Sequence, residues 1–127
     1  MQKKKEINTY KDLIVWQKAI TLVVEVYKLT DTFPSSELYG LTSQMRRCSV
    51  SIPSNIAEGR RRSTKQDFHR FLTMAYASGA ELETQVIISK SLPFGANLDY
   101  NKVDALLDEV MRMLNKMITK DSNQLRS

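Results

Sequence analysis

The residues most able to do chemistry are cations clustered in the middle of the chain. Residues 44–70 contain seven Lys and Arg residues and two acidic residues, whereas the remainder contains twelve of each, so this segment carries the whole net charge of +5. Six of the seven are arginines, whose planar guanidinium groups bind phosphates and carboxylates in a bidentate manner. The segment therefore favours an anionic partner, either nucleic acid or an acidic protein surface. The alternative is a solvated face with internal ion pairs.

Catalytic and metal-binding chemistry finds little support in the residues. His69 is the sole histidine and Cys48 the sole cysteine, which excludes an internal disulfide and a cysteine-based zinc site. Glu81 and Glu83 do not form the Glu-x-x-His pattern of di-iron bundles, and the chain has no glycine-rich phosphate loop. We therefore expect no catalytic residue, no metal, no cofactor and no enzymatic activity. An enzyme would need a cleft that contains Glu58, His69 or Cys48.

Hydrophobic periodicity predicts four helices that position these groups. The helices begin near Thr9, near Ser36, near Ser63 and near Asp99 or Asn101, and no hairpin signal separates them. Short connections between four such helices predict an all-α fold, an up-down-up-down antiparallel four-helix bundle. The bundle occupies residues 1–127 as a single domain, with flexible tails at 1–8 and 121–127.

Capping residues and helix breakers refine this prediction. Thr9 and Asp12 fit a capping box at the first helix, and Ser63 with Gln66 fits another at the third. Pro53 falls inside the second helix, which we expect to bend there while nearby serines bond the freed backbone. Small residues around Gly79 indicate a close helix approach.

The predicted antiparallel packing of helices 2 and 3 gives some arginines a structural role. The two helices meet near Arg61, which brings the arginines at 46 and 47 opposite the acidic residues at 81 and 83. We expect an Arg–Glu ion pair between the helices, partly buried. Its members are Arg46, Arg47, Glu81 and Glu83.

The cations beyond the second helix are the better candidates for an external anion. Three consecutive arginines follow its carboxyl end without such acidic neighbours, and capping needs one at most. The predicted nucleic-acid-binding residues are Arg60, Arg61, Arg62, Lys65 and Arg70. Aromatic residues are not interleaved with them along the sequence, and Phe68 and Phe71 are expected to pack inside the bundle. The contacts should therefore be phosphate-led and weakly sequence-selective.

The first helix carries two apolar stripes roughly 120° apart. The first stripe consists of Leu13, Trp16, Ile20, Val23 and Tyr27. The second stripe consists of Val15, Ala19, Leu22, Val26 and Leu29. A monomeric bundle buries one stripe per helix, so we expect the second stripe to form an interface between copies of the chain. The alternative is that the stems of Lys11, Lys18 and Lys28 screen a modestly apolar surface.

Nothing in the sequence predicts a membrane protein. No apolar run approaches the ~20 residues that span a bilayer, and polar residues interrupt the segment that follows the basic start of the chain. We expect a cytoplasmic protein without a signal peptide or a membrane partner.

Several motifs together resemble the four-helix-bundle family of 23S ribosomal RNA intervening-sequence proteins. The most specific is the Asn-Ile-Ala-Glu-Gly run at 55–59, which follows the Arg-Arg pair at 46–47. The other matches are Asp12-Leu13, Trp16-Gln17-Lys18-Ala19, Phe33-Pro34, Glu37 to Leu41, Gln44-Met45, Ser51-Ile52, Phe71-Leu72 with Ala75, and Glu81-Leu82-Glu83. Ser78-Gly79 stands in inverted order relative to the usual Gly-Ser, and the resemblance fades after residue 90.

The resemblance implies a bundle that assembles as a homopentamer around a central channel, but it implies no biochemical activity. The chain is more distantly similar to the accessory variability proteins of diversity-generating retroelements, which bind nucleic acid and a reverse transcriptase through basic surface. We therefore predict a non-catalytic, oligomeric protein that binds RNA or DNA. The alternative is a scaffold that docks an acidic protein such as a polymerase or reverse transcriptase.

Overall fold

A computed structural model describes residues 9–126, with the side chains of residues 9–120. This range contains four α-helices and no β-strand, which confirms the predicted all-α class. The helices are α1 (Ile14–Thr30), α2 (Ser43–Arg60), α3 (Lys65–Ser91) and α4 (Asn101–Arg126). Of the predicted tails, residues 1–8 and 127 lie outside the described range. The backbone of 121–126 continues α4, where the sequence predicts a tail.

The four helices enclose one apolar core. Helix α2 packs against α1 and α3, and α4 packs against α3 and α1. The largest fully buried side chains come from all four helices and include Leu22, Ile52, Leu82 and Leu114. Gly79 of α3 is buried against the Met111 side chain of α4, where a Cβ atom would collide with the sulfur, so the predicted close helix approach is confirmed.

The chain enters α1 through a separate 3-10 turn over Tyr10–Asp12. The predicted capping box is present, because Thr9 Oγ1 accepts from the Lys11 amide at 3.2 Å and the Asp12 carboxylate accepts from the Thr9 amide at 3.4 Å. It caps this turn rather than α1, since Leu13 is extended and α1 begins at Ile14. The break sets Tyr10 and Lys11 outside the helix.

The second and third helices begin later than the sequence predicts. Gly40 has non-helical backbone angles (φ −111°, ψ −118°), so the residues after Phe33-Pro34 form short 3-10 and π turns and α2 begins at Ser43. Pro53 lies inside α2, which continues past it to Arg60. Helix α3 is capped by Thr64, whose hydroxyl accepts from the Asp67 amide at 3.1 Å; the predicted cap at Ser63 is wrong by one residue.

The prediction that the second stripe of α1 forms an interface between copies is wrong. Its members are Val15, Ala19, Leu22, Val26 and Leu29, and all five are buried in the core of the single chain. The first stripe lies at the edge of the core: Leu13 and Trp16 pack against it, whereas Ile20 and Tyr27 are 38% and 41% exposed. Periodicity separates two stripes but does not say which one faces inward. Helix α1 therefore does expose apolar surface, but the first stripe provides it rather than the second.

The predicted ion pair between α2 and α3 is also wrong. Arg46 faces α1 instead, donating to Asp31 and to Thr30 Oγ1, both at 2.9 Å, and lying 4.5 Å over the Tyr27 ring. The carboxyl end of α1 favours a cation there because its last carbonyl groups carry partial negative charge. Within the described residues Arg47, Glu81 and Glu83 form no salt bridge with one another.

Candidate functional site

The five predicted anion-binding residues lie together where α2 ends and α3 begins. Arg60 closes α2, and four residues, 61–64, separate it from Lys65, where α3 begins. All five side chains are exposed. We call this surface the basic end; its members are Arg60, Arg61, Arg62, Lys65 and Arg70. The short turn between the helices holds the five charges close to one another without burying any.

Two carboxylates partly neutralise the basic end. Arg62 lies 2.7 Å from Glu58, four residues earlier on α2, and Arg70 lies 3.6 Å from Asp67 on α3. The prediction that the arginines at 60–62 lack acidic neighbours is therefore wrong for Arg62. Both pairs are solvent-exposed, and such pairs contribute about 0–1 kcal/mol. A guanidinium held this weakly can exchange its carboxylate for a phosphate at little cost.

A concave pocket adjoins the basic end, between the 3-10 turn before α1 and the carboxyl end of α2. We call it the Tyr10 pocket; it is lined by Thr9, Tyr10, Lys11, Arg60 and Arg61 and has a volume of about 290 Å³. Its lining therefore holds three cations and two hydroxyl groups and, among the described residues, no carboxylate. Such a lining suits a phosphate group, which accepts hydrogen bonds from all of these donors.

Tyr10 and Lys11 are functional candidates that reasoning from the sequence missed. From the sequence, Lys11 figures only in the alternative in which lysine stems screen an apolar surface, and Tyr10 has no predicted role. The predicted topology does indicate where these two residues lie, because in an antiparallel bundle the start of the first helix is beside the end of the second. That rule places residues near Thr9 against those near Arg60, as the pocket does.

Aromatic rings lie beneath three of the arginines. The Arg61 guanidinium lies 5.5 Å from the centre of the Tyr10 ring, while those of Arg62 and Arg70 lie 4.9 Å and 5.0 Å from the centre of Phe71. These are cation–π distances. The sequence predicts no such contacts because Tyr10 comes from a distant segment and Phe71, although next to Arg70, is expected to pack inside the bundle. Phe71 is half-buried beside Gly59, so it serves the packing and the basic end together.

An apolar groove of about 350 Å³ runs between α1 and α2 and meets the Tyr10 pocket at Tyr10. Its walls are the first stripe of α1 and the outer side of α2. The lining residues are Tyr10, Trp16, Ile20, Val23, Val50, Pro53, Ser54 and Ala57. Trp16 packs edge-on against Tyr10, with ring centres 5.4 Å apart. The groove is therefore formed in part by the first stripe of α1.

The residues weighed for catalysis lie away from these cavities. Cys48 is buried, where it accepts a hydrogen bond from Gln85 Nε2 at 3.4 Å. His69 is half-buried, Glu58 pairs with Arg62, and none of the three lines the Tyr10 pocket or the groove. No group of three or more potential metal ligands occurs within the described residues.

We expect Cys48 to be slow to alkylate in the folded chain. Burial raises the pKa of its thiol; the hydrogen bond from Gln85 opposes this shift, and the Glu81 carboxylate adds to it. Because the thiolate is the nucleophile, iodoacetamide at pH 8 should react about tenfold or more slowly with the folded chain than with the chain in urea. The folded rate should also rise at higher pH than that of a free cysteine. Equal rates in the two states would contradict the buried thiol.

Comparison with known proteins agrees with the motifs and extends the match beyond residue 90, where the motif resemblance fades. A family model described as 23S rRNA-intervening sequence protein matches residues 11–116. No curated protein matches the chain. The matched range contains the whole of α1, α2 and α3 and all five residues of the basic end. In the described part of the chain, no helix has an apolar stretch long enough to cross a membrane.

Proposed function

We propose that this chain, which belongs to the 23S rRNA-intervening sequence protein family, is a non-catalytic bundle that binds RNA or DNA through phosphate contacts at its basic end. The observation that carries the proposal is the Tyr10 pocket, where Lys11, Arg60 and Arg61 converge on a cavity whose described lining has no carboxylate. Three cations that line one hollow bind a polyanion more strongly than cations scattered over a surface.

The rest of the basic end extends this contact along the surface. Lys65 is exposed and makes no ion pair within the described residues. Arg62 and Arg70 are held by exposed carboxylates that a phosphate can displace. Contacts of this kind follow the sugar-phosphate backbone and carry no sequence information. The proposed binding is therefore electrostatic and weakly selective for sequence.

We further propose that copies of the chain, each an up-down-up-down antiparallel bundle, associate through the first stripe of α1. Ile20 and Tyr27 of this stripe expose 38% and 41% of their surface and neighbouring Val24 exposes 47%, an apolar area that a second copy would cover. The family resemblance described above implies five copies. Association places several basic ends on one particle, so that a weak single contact becomes an avid multiple one.

A second candidate is a scaffold that docks an acidic protein such as a polymerase or reverse transcriptase. The observation that favours it is that Arg62 and Arg70 already bind the carboxylates of Glu58 and Asp67. Guanidinium groups that donate hydrogen bonds to carboxylates of their own chain can donate in the same geometry to the carboxylates of a partner. Retention of a protein partner from nuclease-treated lysate, lost in Arg62→Gln, would favour this scaffold.

The test of nucleic-acid binding is the salt dependence of affinity. With about five phosphate contacts, the logarithm of the association constant for a single-stranded oligonucleotide should fall against the logarithm of salt concentration with a slope near −3.5. Fluorescence anisotropy of a labelled oligonucleotide, titrated with protein at several salt concentrations, gives this slope. An affinity that ignores salt, or no measurable binding at low salt, would overturn the proposal.

A further inference from the structure

We propose that the basic end selects single-stranded nucleic acid, because an unstacked base lies on the Arg61 guanidinium where Tyr10 supports it. This inference rests on the nucleic-acid binding proposed above and goes beyond it. Phosphate contacts alone bind single and double strands without regard to the bases. The guanidinium–aromatic stacks at the basic end add a surface that recognises the flat face of a base.

Three guanidinium groups of the basic end have aromatic neighbours. Arg61 lies over Tyr10, and Arg62 and Arg70 lie over Phe71, at 4.9–5.5 Å from the ring centres. An arginine on an exposed surface otherwise samples many rotamers and loses that freedom on binding. A guanidinium already seated on a ring loses less, and its open face is a flat platform. Bases of single strands stack on aromatic rings and on arginine planes in this way.

The size of the Tyr10 pocket matches a single nucleotide. The Tyr10 pocket has a volume of about 290 Å³, close to the lower limit of about 300 Å³ for small-molecule sites, so it suits a unit of about one nucleotide. Lys11, Arg60 and the hydroxyl of Thr9 line it beside the Arg61–Tyr10 stack. A phosphate can lie against the cations while its base covers the guanidinium. A duplex keeps its bases stacked inside and presents only their edges in the grooves, so it cannot reach the platform.

The chain carries its own reporter for this contact. Trp16 is the only tryptophan, and it packs against Tyr10 with ring centres 5.4 Å apart. A base placed on the Arg61–Tyr10 stack lies next to this pair and should change the tryptophan fluorescence. Phosphates bound elsewhere on the chain should leave that fluorescence unchanged.

The experiment compares three probes of equal length: a single-stranded oligonucleotide, an abasic strand with the same phosphates, and a duplex. Stacking of one base predicts that the single strand binds about 5- to 150-fold more tightly than the abasic strand. Tryptophan fluorescence should change with the single strand alone. Affinity for the duplex should be close to that for the abasic strand when expressed per phosphate contact.

Variants then test whether the preference for strands with bases depends on Arg61 and Tyr10. Arg61→Lys keeps the charge and removes the plane, so it should reduce the ratio of single-strand to abasic affinity about fivefold or more, whatever its effect on abasic binding itself. Arg112→Lys is the matched control, because Arg112 is an exposed arginine paired with Asp108 on α4. Tyr10→Leu should act like Arg61→Lys, whereas Tyr39→Leu, at a tyrosine that is 93% exposed, should have no effect.

The outcomes separate this inference from the proposed function. Equal affinity for the single and abasic strands, tighter binding of the duplex, or an unchanged base preference in Arg61→Lys would overturn the platform and leave phosphate binding intact. Failure of all three probes to bind at low salt would overturn both.

Discussion

Replacing Arg60, Arg61 and Lys65 together by glutamine is expected to weaken oligonucleotide binding about 100-fold at ~0.1 M salt and to change the salt slope from about −3.5 to about −1.4. Each phosphate contact releases about 0.7 of a counterion from a single strand, which corresponds to about a fivefold gain in affinity at this salt concentration. Three lost contacts multiply to the predicted effect. Anisotropy titrations of the wild type and the variant at several salt concentrations measure both quantities.

The control removes the same charge elsewhere. Lys28, Lys102 and Arg112 are exposed and lie outside the basic end, so the corresponding triple glutamine variant should lose less than about threefold in affinity. Circular dichroism should show both variants folded, since none of the six side chains is buried. Equal losses in the two triple variants would mean that net charge, rather than the basic end, governs binding.

Leu22→Ala is expected to destabilise the folded chain by about 2–5 kcal/mol, whereas Ile20→Glu should leave the single chain folded and abolish association. Leu22 has no exposed surface and its truncation leaves a cavity in the core. Ile20, two residues away, is 38% exposed on the first stripe, where a carboxylate can remain in water unless a second copy covers it.

Two measurements distinguish these outcomes. Urea unfolding of Leu22→Ala at two protein concentrations should give the same loss of stability, and sedimentation velocity of Ile20→Glu should show a folded monomer. If Leu22→Ala remained as stable as the wild type but dissociated, the second stripe would be the interface after all. If Ile20→Glu associated like the wild type, the first stripe would play no part in self-association.

The four helices of this protein could be predicted largely from local patterns. Pro34 and the capping box at Thr9 act within a few residues and are visible in the sequence, but the break at Gly40 delays α2 to Ser43 and the box caps a 3-10 turn instead of α1. The assignment of the two stripes of α1 could not be made this way. Both have helical spacing and both are apolar, and only packing against α2 and α4 decides that Leu22 faces inward and Ile20 does not.

The site shows the same division between local and long-range information. The five cations of the basic end are close in the sequence, so a turn between two helices was enough to group them. Tyr10 and Lys11 lie beside these cations although they are about fifty residues earlier in the chain. Arg46 forms its ion pair with Asp31 at the end of α1 rather than with a glutamate of α3. Contacts of this kind depend on helix rotation and register, which periodicity alone does not fix.

The most direct test of phosphate binding at the basic end is an arginine footprint of the protein–oligonucleotide complex. Phenylglyoxal modifies accessible guanidinium groups, and mass spectrometry locates the modified residues. We predict that a bound single-stranded oligonucleotide protects Arg60, Arg61 and Arg62, while Arg112 on α4 reacts as in the free protein. Protection of Arg112 with continued reaction at residues 60–62 would place the nucleic acid elsewhere and contradict the account.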